Sequence, residues 1–557
     1  MSREGSGVSL TGLNAVDAIA HVLRAEGTEH FSCFPHAPLI DACVAAGIRP
    51  IVTRSERVAV NIADGFSRAA GQGRVGVCVV QREAGIENAF AGVAQAYADS
   101  VPILVLPSAE PLRREGVPPG FDPVEHFAGV TKWAATVNAA DRVPEMMRRA
   151  FTALRCGRPG PVLLSLPNDV AAQTIGGAAR YEPVPRWRPG ADAAAVRRAV
   201  DLLFSAERPV VLAGAGVHAG DAHAGLLRLA ERLRLPVATT MNGKGAIPES
   251  HPLALGAAGL SGTAMVDHFL RRADLVLAVG TSLTRWWMAA PLPPGVPIVQ
   301  CTIDERDLGK DYPIEHAVLG DSALVLEALD EEAQNRLDAG RAPSAADPTD
   351  EIGSVREAWL AEWEPLLSSD EIPINPYRVV RELMLGLDRE RAIVTHESGF
   401  PRDQMAPFYV SLTPLGYVGW GHSTQLGYSL GLAIGMKLAH PDRPVVNVMG
   451  DASVGMVGMD LETAVRAGTG IVTVVLNNGV MTGYEAHMPL ASELHGAKEL
   501  GGDYAAIGAA LGAHAQRVRE PAEIRPALER AVRESASGRP SVLEILTREE
   551  TRIPTYW

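Results

Sequence analysis

At 557 residues the chain is too long for one ordinary domain and predicts three or four. Hydrophobic residues make up 47% of it, enough for several cores, and a net charge of -14 without a basic stripe argues against broad attraction to nucleic acid or to an anionic membrane. Cys33, Cys43, Cys78, Cys156 and Cys301 form no C-x-x-C and fit reduced thiols; with no basic-then-apolar leader and no membrane-length apolar run, a cytoplasmic enzyme is expected.

In chain order, the first segment alternates AVDAIAHVLRAEG (helix, closed by Gly), HFSCF (strand), RVAVNIADGFSRAAG (helix), VGVCVV (strand), NAFAGVAQAYADS (helix) and PILVLPS (strand), with a further strand in PGPVLLSLPNDV. Short apolar runs separated by amphipathic helices predict a parallel sheet covered on both faces. YEPVPRWRPGADAAA, 181–195, is rich in Pro, Arg and Gly and reads as a linker. RPVVLAGAGVHAG, LLRLAERLRLPVATT, ADLVLAVGTSL and VPIVQCTID predict a second unit to about Leu337, and DAGRAPSAADPTDEIG a second linker. From about Val355 a third unit runs through RAIVTHESG, LGYSLGLAIGMKLAH, RPVVNVMGD, LETAVRAG, GIVTVVLNN and PSVLEILT. The expected fold class is α/β: three consecutive doubly wound parallel-sheet domains over 8–180, 195–337 and 355–557, alike in architecture and without a solenoid-type repeat.

Chemistry concentrates near the end. Asp451 follows the strand PVVNVMG, and Asn478, 27 positions later, follows GIVTVVLN. Ligands of open α/β sheets sit beyond the carboxyl ends of strands, so the two share one crevice if those strands are neighbours. Carboxylate and carboxamide oxygens, completed by a backbone carbonyl, suit a hard octahedral cation such as Mg2+, which shares its sphere with phosphate oxygens. SVGMVGMDLETAVRAG between them predicts a helix whose first amides can face a diphosphate. Alone, G-D is a common loop and N-N-G a common turn; order and spacing together are much more specific.

This pair resembles the thiamin diphosphate (ThDP) motif G-D-G…N-N, with Ala452 in place of the third Gly. The order of the three units resembles the superfamily of acetolactate synthase, pyruvate oxidase and pyruvate decarboxylase, in which a pyrimidine-binding domain, a central domain and a diphosphate-binding domain follow one another. The resemblance implies ThDP and Mg2+ as cofactors. It also implies Asp451, Asn478 and the carbonyl of Val480 as metal ligands, with Gly450, Ala452, Ser453 and Met481 beside the cofactor.

TRSERVAVNIADGFSRAAG places Glu56 at a helix start, ahead of Val58, Ala59 and Val60. By itself that is an ordinary first-turn acid favoured by the helix dipole. The pattern R-x-E-x-x-A-x-x-x-A-D-G-F-x-R resembles the family's R-H-E helix, whose Glu shares a proton with the aminopyrimidine so that the cofactor can lose its C2 proton. An apolar pocket that makes the charged carboxylate costly suits that work. Ser55 stands where the family has His, so only the Glu role carries over. HSTQLGYSLGLAIG resembles the segment in which a bulky aliphatic residue precedes G-F/Y-x-L-x-x-A-I-G. This implies Leu426 as the wedge that bends the cofactor, with plain helix core as the alternative, and the Gly421 carbonyl region near the 4'-amino group. In this family the pyrimidine domain of one subunit faces the diphosphate domain of another, which implies a homodimer or homotetramer with Glu56 and Asp451 meeting across the interface.

The chain departs from the family where substrate would lie. FSCFPHAP puts Pro35 at a usual Gly and His36 at a substrate-facing position, where its near-neutral pKa suits proton transfer; a surface-loop His is the alternative. QREAGIEN keeps Gly85 and Asn88 but brings Gln81, a catalytic candidate, with Arg82 and Glu83, which either recognise a substrate carboxylate or pair as solvated loop charges. GVMTGYEAHMP offers Met481, Tyr484, Glu485 and His487 as a lid, and His422 and THESG fall beside the crevice. The expected activity is decarboxylation of a 2-oxo acid with transfer of the acyl-anion equivalent to a carbonyl acceptor. The alternatives are a decarboxylase or C-C lyase or hydrolase without ligation, and a non-catalytic cofactor binder, which would have no need of Glu56. LAGAGVHAG is a weak dinucleotide signal, so FAD is possible but not favoured.

Overall fold

The structure is a computed structural model that describes residues 7–35, 37–71 and 73–556. It contains three six-stranded sheets, parallel throughout, and a small antiparallel pair in which Val8–Ser9 meets Arg180–Tyr181 and ties the start of the first domain to its end. The first sheet runs Arg49–Val52, His30–Cys33, Gly76–Val80, Ile103–Ala109, Val162–Pro167, Trp133–Thr136. The central sheet runs Ala254–Ala258, Val237–Thr240, Pro209–Ala213, Leu275–Val279, Ile298–Thr302, His316–Leu319. The third runs Tyr417–Val418, Ile393–His396, Val445–Gly450, Val472–Asn477, Ser541–Leu546, His514–Val518. Their central strands are buried along their length, apart from Asn477 at the end of its strand, as expected where helices cover both faces.

The sequence pattern makes the three units look alike; the strand order separates them. Numbered by chain position within each sheet, the first and third domains share the order 2-1-3-4-6-5, whereas the central one is 3-2-1-4-5-6, the dinucleotide-fold order. Two expected boundaries also move. The helix Thr349–Leu367 begins inside the predicted second linker, because Asp350 and Glu351 occupy its first turn and Ile352, Trp359, Trp363 and Leu367 supply its buried stripe. The helix expected after Asp451 starts at Asp451 itself and is broken into Asp451–Val457, a 3-10 turn Gly458–Asp460 and Leu461–Ala467.

A seam joins the first and third domains. Helix Glu56–Ala70 lies along helix Tyr428–Ala439 in parallel: Arg57 meets Leu426, Asn61 meets Gly431, and Ala69 meets His440. Glycines allow this approach, since a Cβ on Gly65 would stand 2.2 Å from the Leu432 carbonyl oxygen and one on Gly435 2.2 Å from that of Ile62. Val58, Ile62 and Phe66 therefore share one core with Tyr428, Leu430 and Ile434. In βαβ units each helix runs against its strands, so parallel helices mean that both sheets present their carboxyl ends in the same direction. Among the described residues no helix is long and apolar enough to cross a membrane.

Candidate active site

Strand order reverses between His30–Cys33 and Gly76–Val80 in the first domain, and between Ile393–His396 and Val445–Gly450 in the third. Crevices form at such switch points. The loops leaving these four strands hold Gln81 in the first domain, and Glu397 and Asp451 in the third. His36, expected at a substrate-facing position, lies outside the described residues.

Val445–Gly450 and Val472–Asn477 are direct neighbours, with Gly450 paired to Leu476. Asp451 and Asn478 are thereby brought together. The Gly479 N–H donates to one Asp451 carboxylate oxygen at 2.9 Å, and the Ala452 N–H to the other at 2.8 Å. The Asn478 side-chain N–H donates to Thr482 Oγ1 at 2.7 Å, which turns its carboxamide oxygen away from that hydroxyl and toward the Val480 N–H at 3.1 Å. Burial pushes the Asp451 carboxyl up against the pull of these N–H groups. A buried carboxylate in that state gains from a nearby cation, and its neighbours offer oxygen ligands, so the donor set fits Mg2+ and a diphosphate. Ser453 Oγ donates to the Gly450 carbonyl at 2.7 Å and closes the turn.

Leu426 reaches the neighbourhood of the Asp451–Val457 helix through the residue that follows it. Gly427 follows with φ +86, a left-handed conformation that favours glycine, and a Cβ there would lie 2.7 Å from Val457 of the Asp451–Val457 helix. In the first domain Glu56 is 4% exposed and accepts from Asn88 Nδ2 at 3.3 Å. A Cβ on Gly85 would stand 2.3 Å from Gln81 Cγ and 3.3 Å from Glu56 Oε1, so Gln81, Gly85, Asn88 and Glu56 form one group. Arg82 does not pair with Glu83: it bridges to Glu110 at 2.6 Å, while Glu83, at φ 53, is exposed ahead of the following helix. In the expected lid, Lys498 sits 2.9 Å from Glu485 and holds that carboxyl below its usual range, which suits a fixed anion better than a proton donor.

Gly421 and His422 occupy a different place. Their N–H groups donate to Asp99 at 3.1 and 3.0 Å, and Asp99 also accepts from Arg68, Gln95 and Asn242, one node for three domains. Asp99, Asn242, Gly421 and His422 line a cavity that continues past Gly216 and Gly280 at the central switch point, where His422 stacks on Trp286. His396 is fully buried behind it, and burial pushes its pKa down to about 3, leaving it neutral.

Each domain matches a model of one family. The N-terminal TPP binding domain of thiamine pyrophosphate enzymes matches residues 13–132, the central domain 196–329, and the C-terminal TPP binding domain 398–545. The chain belongs to the thiamine pyrophosphate enzymes. Within that family it is acetolactate synthase-like. It is 30% identical, over 97% of its length and 93% of the relative's, to a probable acetolactate synthase large subunit of Methanocaldococcus jannaschii. A glyoxylate carboligase of Escherichia coli O157:H7 is 30% identical over 97% of this chain and 94% of its own, and a probable acetolactate synthase of Mycobacterium bovis 31% identical over 97% of both.

For this ThDP enzyme, sequence reasoning missed Arg57 and the node at Asp99, and gave Glu397 only a place beside the crevice. Arg57 reads as a surface arginine in a first helical turn, and only the packing of the seam turns it inward. Asp99 ends a helix like many others; Arg68 in the same A-D-G-F-x-R pattern is its only sequence signal.

Proposed function

We propose that the protein uses ThDP and Mg2+ to decarboxylate a 2-oxo acid and to transfer the acyl-anion equivalent to a carbonyl acceptor. The observation that carries this is the Gly450–Leu476 register, which sets an oxygen-donor pair, Asp451 and Asn478, at one crevice, together with a buried Glu56 at the other. ThDP, when bound, supplies a thiazolium that accepts the electrons released as CO2 leaves. Asp451, Asn478 and the Val480 carbonyl hold the metal, and Gly450, Ala452 and Ser453 line the diphosphate. Glu56 holds a proton at the aminopyrimidine, with Asn88 orienting its carboxylate. Leu426 fills the space beneath the bend, and Met481 closes above. Gln81 faces the reacting carbon from the Glu56 side, and a proton-transfer role is assigned to His36.

The crevices of one chain open side by side and in the same direction, so each needs a wall from elsewhere. A second copy placed face to face supplies it, setting Glu56 of one chain against Asp451 of the other in a homodimer or a homotetramer. Exposed Met456 and Met459, 54% and 57% accessible beside the Asp451 helix, are apolar surface for such a contact. The central cavity, with its dinucleotide-fold strand order, is where FAD would bind if this chain carries it, a cofactor its sequence allows without favouring.

The test is to supply purified protein, ThDP and Mg2+ with a panel of 2-oxo acids, with and without aldehyde acceptors, and to identify products by mass spectrometry. A hydroxyketone absent with Glu56→Gln supports carboligation. Free aldehyde alone makes the enzyme a decarboxylase, and no CO2 from any acid refutes the proposal. Gel filtration after incubation with FAD, read by visible absorbance, tests the central cavity.

A further inference from the structure

The peptide between Leu426 and Gly427 is held from two domains. On the N-terminal side Arg57, the residue after Glu56, sends Nη2 to the Leu426 carbonyl oxygen. On the other side Glu397, 0% exposed at the switch point of the third sheet, accepts from Ser398 N at 2.7 Å, Ser429 N at 3.2 Å and Ser429 Oγ at 2.8 Å, and the Gly427 N–H is directed at the same carboxylate and favours its charged form. Arg57 and Glu397 also attract each other directly. One side chain therefore grips the carbonyl end of this peptide, and the other, anchored on Ser429, lies at its N–H end. Gly427, at φ +86 and packed on Val457, leaves the peptide little room to turn on its own.

Neither side chain has an assigned role. As plain stability devices they would be costly, since buried charges lose more solvation than a pair usually returns. What they achieve is geometric: a strand end and a helix start, from different domains, converge on the one backbone unit that carries the wedge.

We propose that Arg57 and Glu397 are positioning residues that fix the Leu426–Gly427 peptide and thereby set the bend imposed on bound ThDP. This rests on the ThDP reading of the site. A consequence follows from the seam. In a face-to-face pair, Glu56 and Leu426 of one chain serve different cofactors, so Arg57 links the activator of one site to the wedge of the other.

The experiment compares wild type, Arg57→Gln, Arg57→Lys, Glu397→Gln and Leu426→Ala. ThDP affinity is titrated by tryptophan quenching, exchange of the ThDP C2 proton in D2O is followed by acid quench and NMR, and the melting of the cofactor-free protein is recorded. Arg57→Gln and Glu397→Gln should slow C2 exchange about tenfold or more, roughly 1.4 kcal/mol in the barrier, and Leu426→Ala should do the same. Arg57→Lys should be intermediate; cofactor-free melting should be unchanged for the Arg57 variants, and for Glu397→Gln when compared at about pH 5, where the wild-type carboxyl keeps its proton. Exchange at the wild-type rate in the Gln variants overturns the proposal. So does loss of the fold in both Arg57 variants, which would make Arg57 a structural residue. A wild type whose C2 exchange is not accelerated, or is unaffected by Glu56→Gln, refutes the ThDP reading and the clamp with it.

Discussion

Gly435→Ala would test the rigidity of the seam between the first and third domains. An added Cβ would stand 2.2 Å from the Ile62 carbonyl oxygen and 2.6 Å from the Phe66 N–H nitrogen, both backbone atoms of the facing helix. Relief requires the helices to part by about an ångström, or a backbone bend, and such overpacking costs about 3 kcal/mol where no side chain can swing away. Alanine returns about 1 kcal/mol of helix propensity, leaving a net loss of about 2 kcal/mol. Gly353→Ala is the matched control: it lies exposed within helix Thr349–Leu367 with no heavy atom within 4 Å of the added carbon, so it should gain up to about 1 kcal/mol. Urea denaturation of both variants, followed by far-UV circular dichroism, gives the comparison. If Gly435→Ala is as stable as wild type while Gly353→Ala shows its gain, the helices slide freely and the seam does not register the two crevices.

Two other outcomes are expected. Burial pushes the Glu397 carboxyl up from its ordinary 4.5 to about 7, with the N–H groups of Ser398, Ser429 and Gly427 and the Ser429 hydroxyl opposing the shift. Between those values the folded protein keeps a proton that the unfolded chain has lost. Stability is therefore lost as pH rises through that window, by up to about 3 kcal/mol. The melting temperature of Glu397→Gln should fall less than that of wild type between about pH 5 and pH 7.5; parallel curves would show that Glu397 titrates normally. Asp403→Asn should destabilise by about 3 kcal/mol or more, because Arg402, 2% exposed and stacked 4.7 Å over Trp420, would keep its charge without the carboxylate 2.7 Å from its Nε; a denaturation midpoint within error of wild type would contradict this.

The legible parts were those written in local pattern. Apolar runs and amphipathic stretches gave three parallel-sheet domains, and the spacing from Asp451 to Asn478 pointed to paired strands that the Gly450–Leu476 register realises. Strand order is a long-range property, so the difference between the central domain and its neighbours was hidden, and with it the central cavity. Gly421 shows the same limit: five residues before Leu426 in sequence, it turns to the other side of the chain because Asp99, from another domain, claims its N–H. Arg82 and Glu83, adjacent and opposite in charge, read either as substrate-recognising residues or as a solvated pair; the pairing is not formed, because the chain turns at Glu83 and Arg82 finds Glu110.

The parallel run of Glu56–Ala70 beside Tyr428–Ala439 makes a prediction about genetics. If each cofactor takes its activator from one chain and its metal ligands from another, a chain carrying Glu56→Gln and a chain carrying Asp451→Ala are each inert alone, but damaged in different halves. Unfolded and refolded together, half of the pairs contain one of each, and in those one site draws both of its intact halves from different parents. About a quarter of the sites should then recover. Two dead alleles would complement within a single gene, and no mixture would return more than that fraction.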